Sequence, residues 1–190
     1  MHAASERQIV WLLEKYAMAE NIVDIGLATE NDLDGIMVLQ EENQPEHGGS
    51  LSASIPRNMI SKIMCDTPVI VARFGGCIIG YLVTSTKKMN IDIPFVNAML
   101  ATNSGATEFY VYGPICVKAE ERGKGLAQAM YAELRRLVPD REYILLIRGD
   151  NSASLRVHRK MGMREVTNFL FGGNDYVVLS SFGSSDKTDR

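Results

Sequence analysis

Apolar positions recur at helical spacing near the start of the chain, where Ile9, Leu12, Leu13 and Tyr16 follow Ser5 and Gln8, a pair spaced as a capping box. An amphipathic helix is therefore expected over residues 5–19, with residues 1–20 as a unit ahead of the main domain. Residues 21–28 read as a short strand. Thr29 and Asp32 then cap a second helix whose Leu33, Ile36, Met37 and Gln40 share one side. The stretch 44–54 is polar with Gly and Pro and reads as a loop, and 57–64 as a short helix. Two β-rich runs, 69–74 and 77–85, flank Gly75-Gly76, which predicts a hairpin with a primed turn. Residues 87–105 carry the weakest pattern, with Pro94 inside and only 95–100 helical in spacing; an insert this long is expected to be functional or mobile.

From residue 108 the periodicity alternates cleanly. Residues 108–117 read as a strand, 124–138 as a helix, 143–148 as a strand and 151–161 as a helix, a β-α-β-α series. Strands 164–171 and 175–179 close the domain around Gly172-Gly173-Asn174, and the polar residues 181–190 are expected to stay unpacked. No internal repeat interrupts this order. The chain has 190 residues, 46% of them hydrophobic, which suits one domain over 21–180 and is short for two.

Charge and cysteine usage narrow the function classes. A net charge of −3 gives no general basic surface for nucleic acid. Cys65, Cys77 and Cys116 form no CxxC pair and are odd in number, which fits a reducing cytoplasm. Charged residues break the opening apolar run, so it is read neither as a signal peptide nor as a membrane span, and a soluble cytoplasmic protein is expected. His2, His47 and His158 show no ligand spacing, so no metal is expected.

The most informative residues are Arg122-Gly123-Lys124-Gly125-Leu126-Ala127, between the strand ending at Val117 and the helix whose core face is Leu126, Met130, Leu134 and Leu137. A helix start offers unpaired N–H groups and the positive end of a dipole, and Gly123 and Gly125 remove side chains that would hold a phosphate off. Arg122 and Lys124 add charge, and Ala127 is small enough for close approach. A glycine loop that merely turns the chain is the plain alternative. The run is not a Walker loop and lacks the GxGxxG of dinucleotide binders.

The segment 115–127 resembles motif A of the GCN5-related N-acetyltransferase (GNAT) superfamily, Q/R-x-x-G-x-G/A, through Arg122, Gly125 and Ala127. The resemblance implies a mixed α/β (α+β) fold: a mostly antiparallel central sheet, splayed between two parallel strands and flanked by helices. It also implies acetyl-CoA as acetyl donor, its diphosphate on this turn, and Ile115, Cys116 and Val117 along the pantetheine arm. A backbone N–H near Cys116 would serve the oxyanion. Pro114 is compatible with the broken ladder that this requires.

The later segment 151–163 is similar to the family's N-x-x-A-x-x-x-Y-x-x-x-G-F. Asn151 and Gly162 match; Ser154, His158 and Met163 stand where a small residue, tyrosine and phenylalanine are usual. Helical offsets independently place Asn151, Ser154 and His158 along one face, where they can touch one ligand. Asn151 also reads as a helix N-cap. By the resemblance His158 protonates the departing thiolate. A structural histidine is the alternative, and an imidazole titrates near 6.5 where a phenol titrates near 10.

The general base is not assigned: Glu108 lies on the entering strand but its parity and distance from Val117 are no clean match, and Tyr110 and Tyr112 belong either to the acceptor pocket or to the core. Direct transfer is preferred to an acetyl-cysteine, because Cys116 in an apolar strand is inert more often than reactive. The expected activity is transfer to a primary amine of a small molecule, with a homodimer through the closing hairpin or first helix compatible with the family. Glu41, Glu42 and Glu46 would attract a cationic amine, or else form a solvated surface. A catalytically silent acyl-CoA sensor or scaffold is the rival reading, and an unrelated phosphate-binding α/β enzyme a second.

Overall fold

A computed structural model describes residues 22–51, 54–102 and 108–181. The expected N-terminal helix and residues 182–190 of the expected tail lie outside the described residues.

Seven strands form one sheet in the order β1-β2-β3-β4-β5-β7-β6. They are β1 (Asp24–Leu27), β2 (Val69–Phe74), β3 (Cys77–Ser85), β4 (Phe109–Val117), β5 (Glu142–Arg148), β6 (Arg164–Phe171) and β7 (Asn174–Ser180). Every neighbouring pair is antiparallel except β4 with β5. Among the described residues five helices flank the sheet: α1 (Leu33–Glu42), α2 (Arg57–Asp66), α3 (Pro94–Thr102), α4 (Leu126–Leu137) and α5 (Ser152–Lys160). The mixed, mostly antiparallel sheet with one parallel pair is the architecture that the resemblance implies.

Local chemistry accounts for most boundaries. The Asp32 carboxylate accepts from the Thr29 N–H at 2.6 Å and from the Thr29 hydroxyl at 2.8 Å, which fixes the chain just ahead of α1. Arg73 on β2 reaches the same carboxylate at 2.7 Å, tying the helix start to the sheet. The Gly75-Gly76 turn has positive φ at both positions, the primed geometry expected, and Gly172-Gly173 repeats it. That second turn has two residues, so Asn174 belongs to β7 rather than to the loop. β1 is shorter than the 21–28 run suggested.

The insert holds the helix expected over 95–100, in a slightly longer form. A 3₁₀ turn, Lys88–Asn90, leads into α3, and Pro94 opens this helix rather than breaking it. Proline suits the first helical position because its missing N–H has no intrahelical acceptor there.

The core lies on both sheet faces. Leu33, Ile36, Leu39 and Ile60 from α1 and α2 pack on Val69, Val71, Tyr81 and Cys116, with α3 continuing that layer over Val111 and Ile144. On the opposite face Met130, Leu134 and Leu155 from α4 and α5 pack on Leu82, Tyr112, Tyr143 and Leu145. Leu39, not Met37, completes the buried side of α1. No helix among the described residues is long and apolar enough to cross a membrane.

Candidate active site

β4 and β5 pair only from Phe109 to Val111 against 142–144, then part. On its other side β4 keeps pairing with β3 up to Val117, but its register slips: Tyr112 faces Thr84 and Ile115 faces Leu82, so Gly113 and Pro114 together oppose one residue. This β-bulge bends β4 away from β5. Beyond Ile144, β5 pairs only with β7, so the edge it turns towards β4 carries no ladder. A cavity of about 760 Å³ occupies the gap, lined by residues of both strands, the glycine turn and α5.

Pairing parity decides which main-chain groups face this cavity. Lys118 donates its N–H to Ile79 O at 2.9 Å, and in an antiparallel ladder bonded and unbonded pairs alternate. Cys116 is therefore the residue that exchanges hydrogen bonds with Tyr81, while Ile115 and Val117 turn their main-chain groups towards the gap. By this parity the Cys116 N–H belongs to the sheet, and the nearby N–H that faces the opening is that of Ile115. The Cys116 side chain enters the opposite core, and burial pushes its thiol up to about 11.

At the mouth of the gap the glycine turn meets α4. Gly123 and Gly125 have φ of +78° and +85°, a left-handed conformation that other residues adopt at a cost. A Cβ built on either glycine meets nothing within 4 Å, so space lies open beside both. The first helical hydrogen bond runs from Ala129 to Gly125 O at 3.0 Å; the N–H groups ahead of it, those of Leu126, Ala127 and Gln128, have no intrahelical acceptor.

The two charged side chains of the turn both have partners within the protein. Arg122 donates to Val117 O at 3.2 Å and to the Asn43 carboxamide, bracing the turn against β4 and α1. Lys124 is held by Glu121 at 3.1 Å and does not line the cavity. Arg122 does line it, together with Arg148, Arg156 and Lys160, three cations that sequence reasoning passed over. Arg156 and Lys160 are one helical turn apart on α5, a spacing that would have marked them.

α5 brings Asn151, Ser154 and His158 to one wall, as their offsets predict. Asn151 is the N-cap, accepting from the Ser154 N–H at 3.1 Å. His158 is 2% exposed, and its Nδ1 lies 2.8 Å from Ser154 O. A carbonyl only accepts, so Nδ1 carries the proton and Nε2 of the neutral ring carries a lone pair. Burial lowers the His158 pKa, with the Ser154 carbonyl pulling the other way. The resting ring thus spends its N–H on Ser154 O and presents an acceptor at Nε2.

Among the described residues two buried side-chain atoms have no hydrogen-bond partner: His158 Nε2 and the Tyr112 hydroxyl. The two rings meet edge-on, with centroids 5.5 Å apart. Tyr112 is the first residue past the last β4–β5 pair, at the closed end of the gap, and burial raises its pKa well above 10. Orphaned buried polar atoms are uncommon and mark sites where a ligand or water completes the set.

Other candidates fall away. Glu108 is exposed and paired with Arg141 at 2.6 Å, and Glu41, Glu42 and Glu46 are exposed and off the cavity wall. Among the described residues no group of three His, Cys, Asp or Glu stands ready for a metal.

Solved structures share this fold. The ribosomal-protein-S18-alanine N-acetyltransferase of Escherichia coli superposes with a TM-score of 0.60 at 12% identity, over 84% of this chain and 92% of that one. An N-acetyltransferase from Staphylococcus aureus Mu50 gives 0.60 at 17%, over 84% and 98%. YncA from Salmonella typhimurium, a putative acetyltransferase solved with acetyl-CoA as its cofactor, gives 0.59 at 16%, over 84% and 93%. No curated protein sequence matches the chain. The sequence profile of the acetyltransferase (GNAT) family matches residues 36–163, and the chain belongs to that family.

Proposed function

We propose that this protein is an acetyl-CoA-dependent N-acetyltransferase that moves the acetyl group directly from the thioester to a primary amine of a small molecule. The parting of β4 from β5 carries the proposal, because it leaves a strand-shaped gap with a glycine turn at its mouth and two orphaned polar groups at its closed end. The diphosphate of the donor lies on the N–H groups at the start of α4, and Arg156 and Lys160 suit its outer phosphate. The pantetheine arm takes the place of a strand, pairing with Ile115 and Val117. The acetyl-CoA in the Salmonella relative supports this donor.

In the reaction, a neutral amine attacks the thioester carbon and a C–N bond forms. The oxyanion takes a hydrogen bond from the Ile115 N–H, the kind of fixed donor whose loss costs about 3 kcal/mol. The C–S bond then breaks and its electron pair stays on sulfur. Nitrogen must lose one proton and the thiolate must gain one. His158 Nε2 takes the first and returns it to sulfur, while the Tyr112 hydroxyl, which stays protonated, donates a hydrogen bond to the developing thiolate. Cys116 takes no part, since its raised pKa keeps it a thiol.

The test is CoA release over a panel of amines, with calorimetric binding of acetyl-CoA measured alongside. His158→Phe is expected to slow turnover by about 10²- to 10⁴-fold with affinity retained, the usual range for a lost acid–base group. Tyr112→Phe should slow it about tenfold, the effect of one hydrogen bond to a charged partner. Undiminished turnover in His158→Phe removes the proton shuttle. Tight binding with no CoA release on any amine supports the acyl-CoA sensor instead.

A further inference from the structure

Charge divides the cavity into two unlike ends. Where the glycine turn meets α5, Arg122, Arg148, Arg156 and Lys160 line the wall, and among the described lining residues the one carboxylate is that of Glu121. The two ends meet where Arg122 reaches Asn43, and the other end is built by the loop ahead of α2, by α2 itself and by the segment from Ser85 into α3. There the described lining residues include no ionisable side chain. Residues 52, 53 and 103–107, which adjoin those segments in sequence, carry none either. The apolar part of the wall at this end is Leu51, Ile55, Met59, Met89, Ile93 and Phe95, with the uncharged hydroxyls of Ser50, Ser54 and Ser85 beside it.

Its amides are already engaged by the protein. Asn43 donates to Leu39 O at 2.8 Å and accepts from Arg122. Asn90 donates to Ser85 Oγ at 2.8 Å and to Thr86 O at 2.7 Å. Gln40, behind the wall, exchanges two hydrogen bonds with the Ile55 main chain, of 3.0 and 2.9 Å, which pins that loop against α1. The polar groups here hold the scaffold in shape, and among the described residues lining this end none is a carboxylate that would neutralise a cation.

Resting on the acetyltransferase reading above, we infer that the acceptor is a small primary monoamine carried on an apolar body, and not a polyamine or an aminoglycoside. An amine entering an apolar wall without a carboxylate loses the solvation of its charged form, and such burial lowers an amine pKa by up to about 3–5 units. It therefore reaches the thioester neutral, the nucleophilic state, and needs no protein base to prepare it. A second ammonium on the same molecule would be buried without a partner, which is strongly unfavourable. Size agrees: cavities of about 300–1,000 Å³ hold one drug-sized ligand, and this one must admit the end of the pantetheine arm as well.

The experiment uses the full chain with acetyl-CoA and compares kcat/KM for CoA release with 2-phenylethylamine, hexylamine, spermidine, kanamycin and a decapeptide with a free N-terminus. The two apolar monoamines are expected to exceed the others by at least about tenfold, the discrimination that one or two buried apolar groups supply. Met89→Glu, which sets a carboxylate in the apolar wall, should cut that preference about tenfold or more, while Met89→Gln, of similar length and uncharged, keeps most of it. Acetyl-CoA affinity by calorimetry stays unchanged in both variants. Spermidine, kanamycin or the peptide equalling the monoamines overturns the inference, and so does a preference unmoved in a Met89→Glu protein that still binds acetyl-CoA. A second readout separates this from the transfer reading: titration of 2-phenylethylamine and spermidine onto the CoA-loaded protein. Binding of the first and not the second, without CoA release, sustains the apolar acceptor end and removes only the transfer; tighter binding of spermidine overturns the inference itself.

Discussion

Cys116 and His158 lie on opposite faces of the same sheet, and burial acts on each in the direction its chemistry dictates. A thiolate is the charged form of cysteine, so the apolar setting raises the Cys116 pKa, to about 11. Alkylation with iodoacetamide at neutral pH is therefore expected to mark exposed Cys65 and Cys77 and to reach Cys116 only after unfolding, read by peptide mass spectrometry. Cys116→Ala should keep turnover within about threefold while costing roughly 1–2 kcal/mol of stability for the buried volume lost. For histidine the charged form is the protonated one, so burial lowers its pKa from the ordinary 6.5. Between that lowered value and 6.5 the unfolded chain holds more protons than the folded one, and stability rises with pH. Denaturant midpoints should thus fall as pH drops below about 6.5, and His158→Phe should flatten that dependence; an unchanged slope would mean that the ring is not buried neutral. Tyr112 was not separable from the core by sequence, because a strand tyrosine with a satisfied hydroxyl and one with an orphaned hydroxyl leave the same pattern.

At the scale of elements, α5 and β4 show what a sequence carries locally and what it leaves to the partner. The offsets of Asn151, Ser154 and His158 are fixed by helix geometry, and the structure brings all three to the cavity. The glycine turn is equally local. Which N–H of β4 faces the gap is not, since it follows from the register with β3 and from the bulge at Gly113-Pro114. The same holds for Arg122, whose partner Asn43 lies 79 residues away. In the insert the helical spacing of 95–100 is local and legible, and the structure extends that helix to Pro94–Thr102. Asn151 tests how cap and ligand roles combine. Asn151→Ala loses the cap and should cost about 1 kcal/mol in chemical denaturation. Asn151→Asp keeps a capping oxygen and should hold stability within about 0.5 kcal/mol, yet it adds a negative charge to the cavity wall and should weaken acetyl-CoA about tenfold by calorimetry. Equal affinity in Asn151→Asp would leave Asn151 with the cap alone.

Across the whole molecule, the site is a place where the sheet stops bonding to itself. Two strands present unpaired edges to each other, and the helices on either face keep them apart without closing the gap. A donor that pairs with β4 and seats its diphosphate on α4 would bridge these parts and stabilise the fold by an amount that grows with the logarithm of its concentration. At about 100 times its Kd the gain is about 2.7 kcal/mol, which for a chain of this size raises Tm by roughly 5–10 °C. Gly125 separates the two demands that the turn makes. Gly125→Ala keeps the space, since its Cβ meets nothing within 4 Å, but must hold a φ of +85°, so stability should fall by about 1–2 kcal/mol while a thermal shift with acetyl-CoA persists. Gly125→Glu bears the same backbone strain and adds an anion where the diphosphate would lie, so its Tm should match that of Gly125→Ala without ligand and fail to rise with it. A Gly125→Glu protein that still gains 5 °C or so from acetyl-CoA would place the phosphates somewhere other than the start of α4.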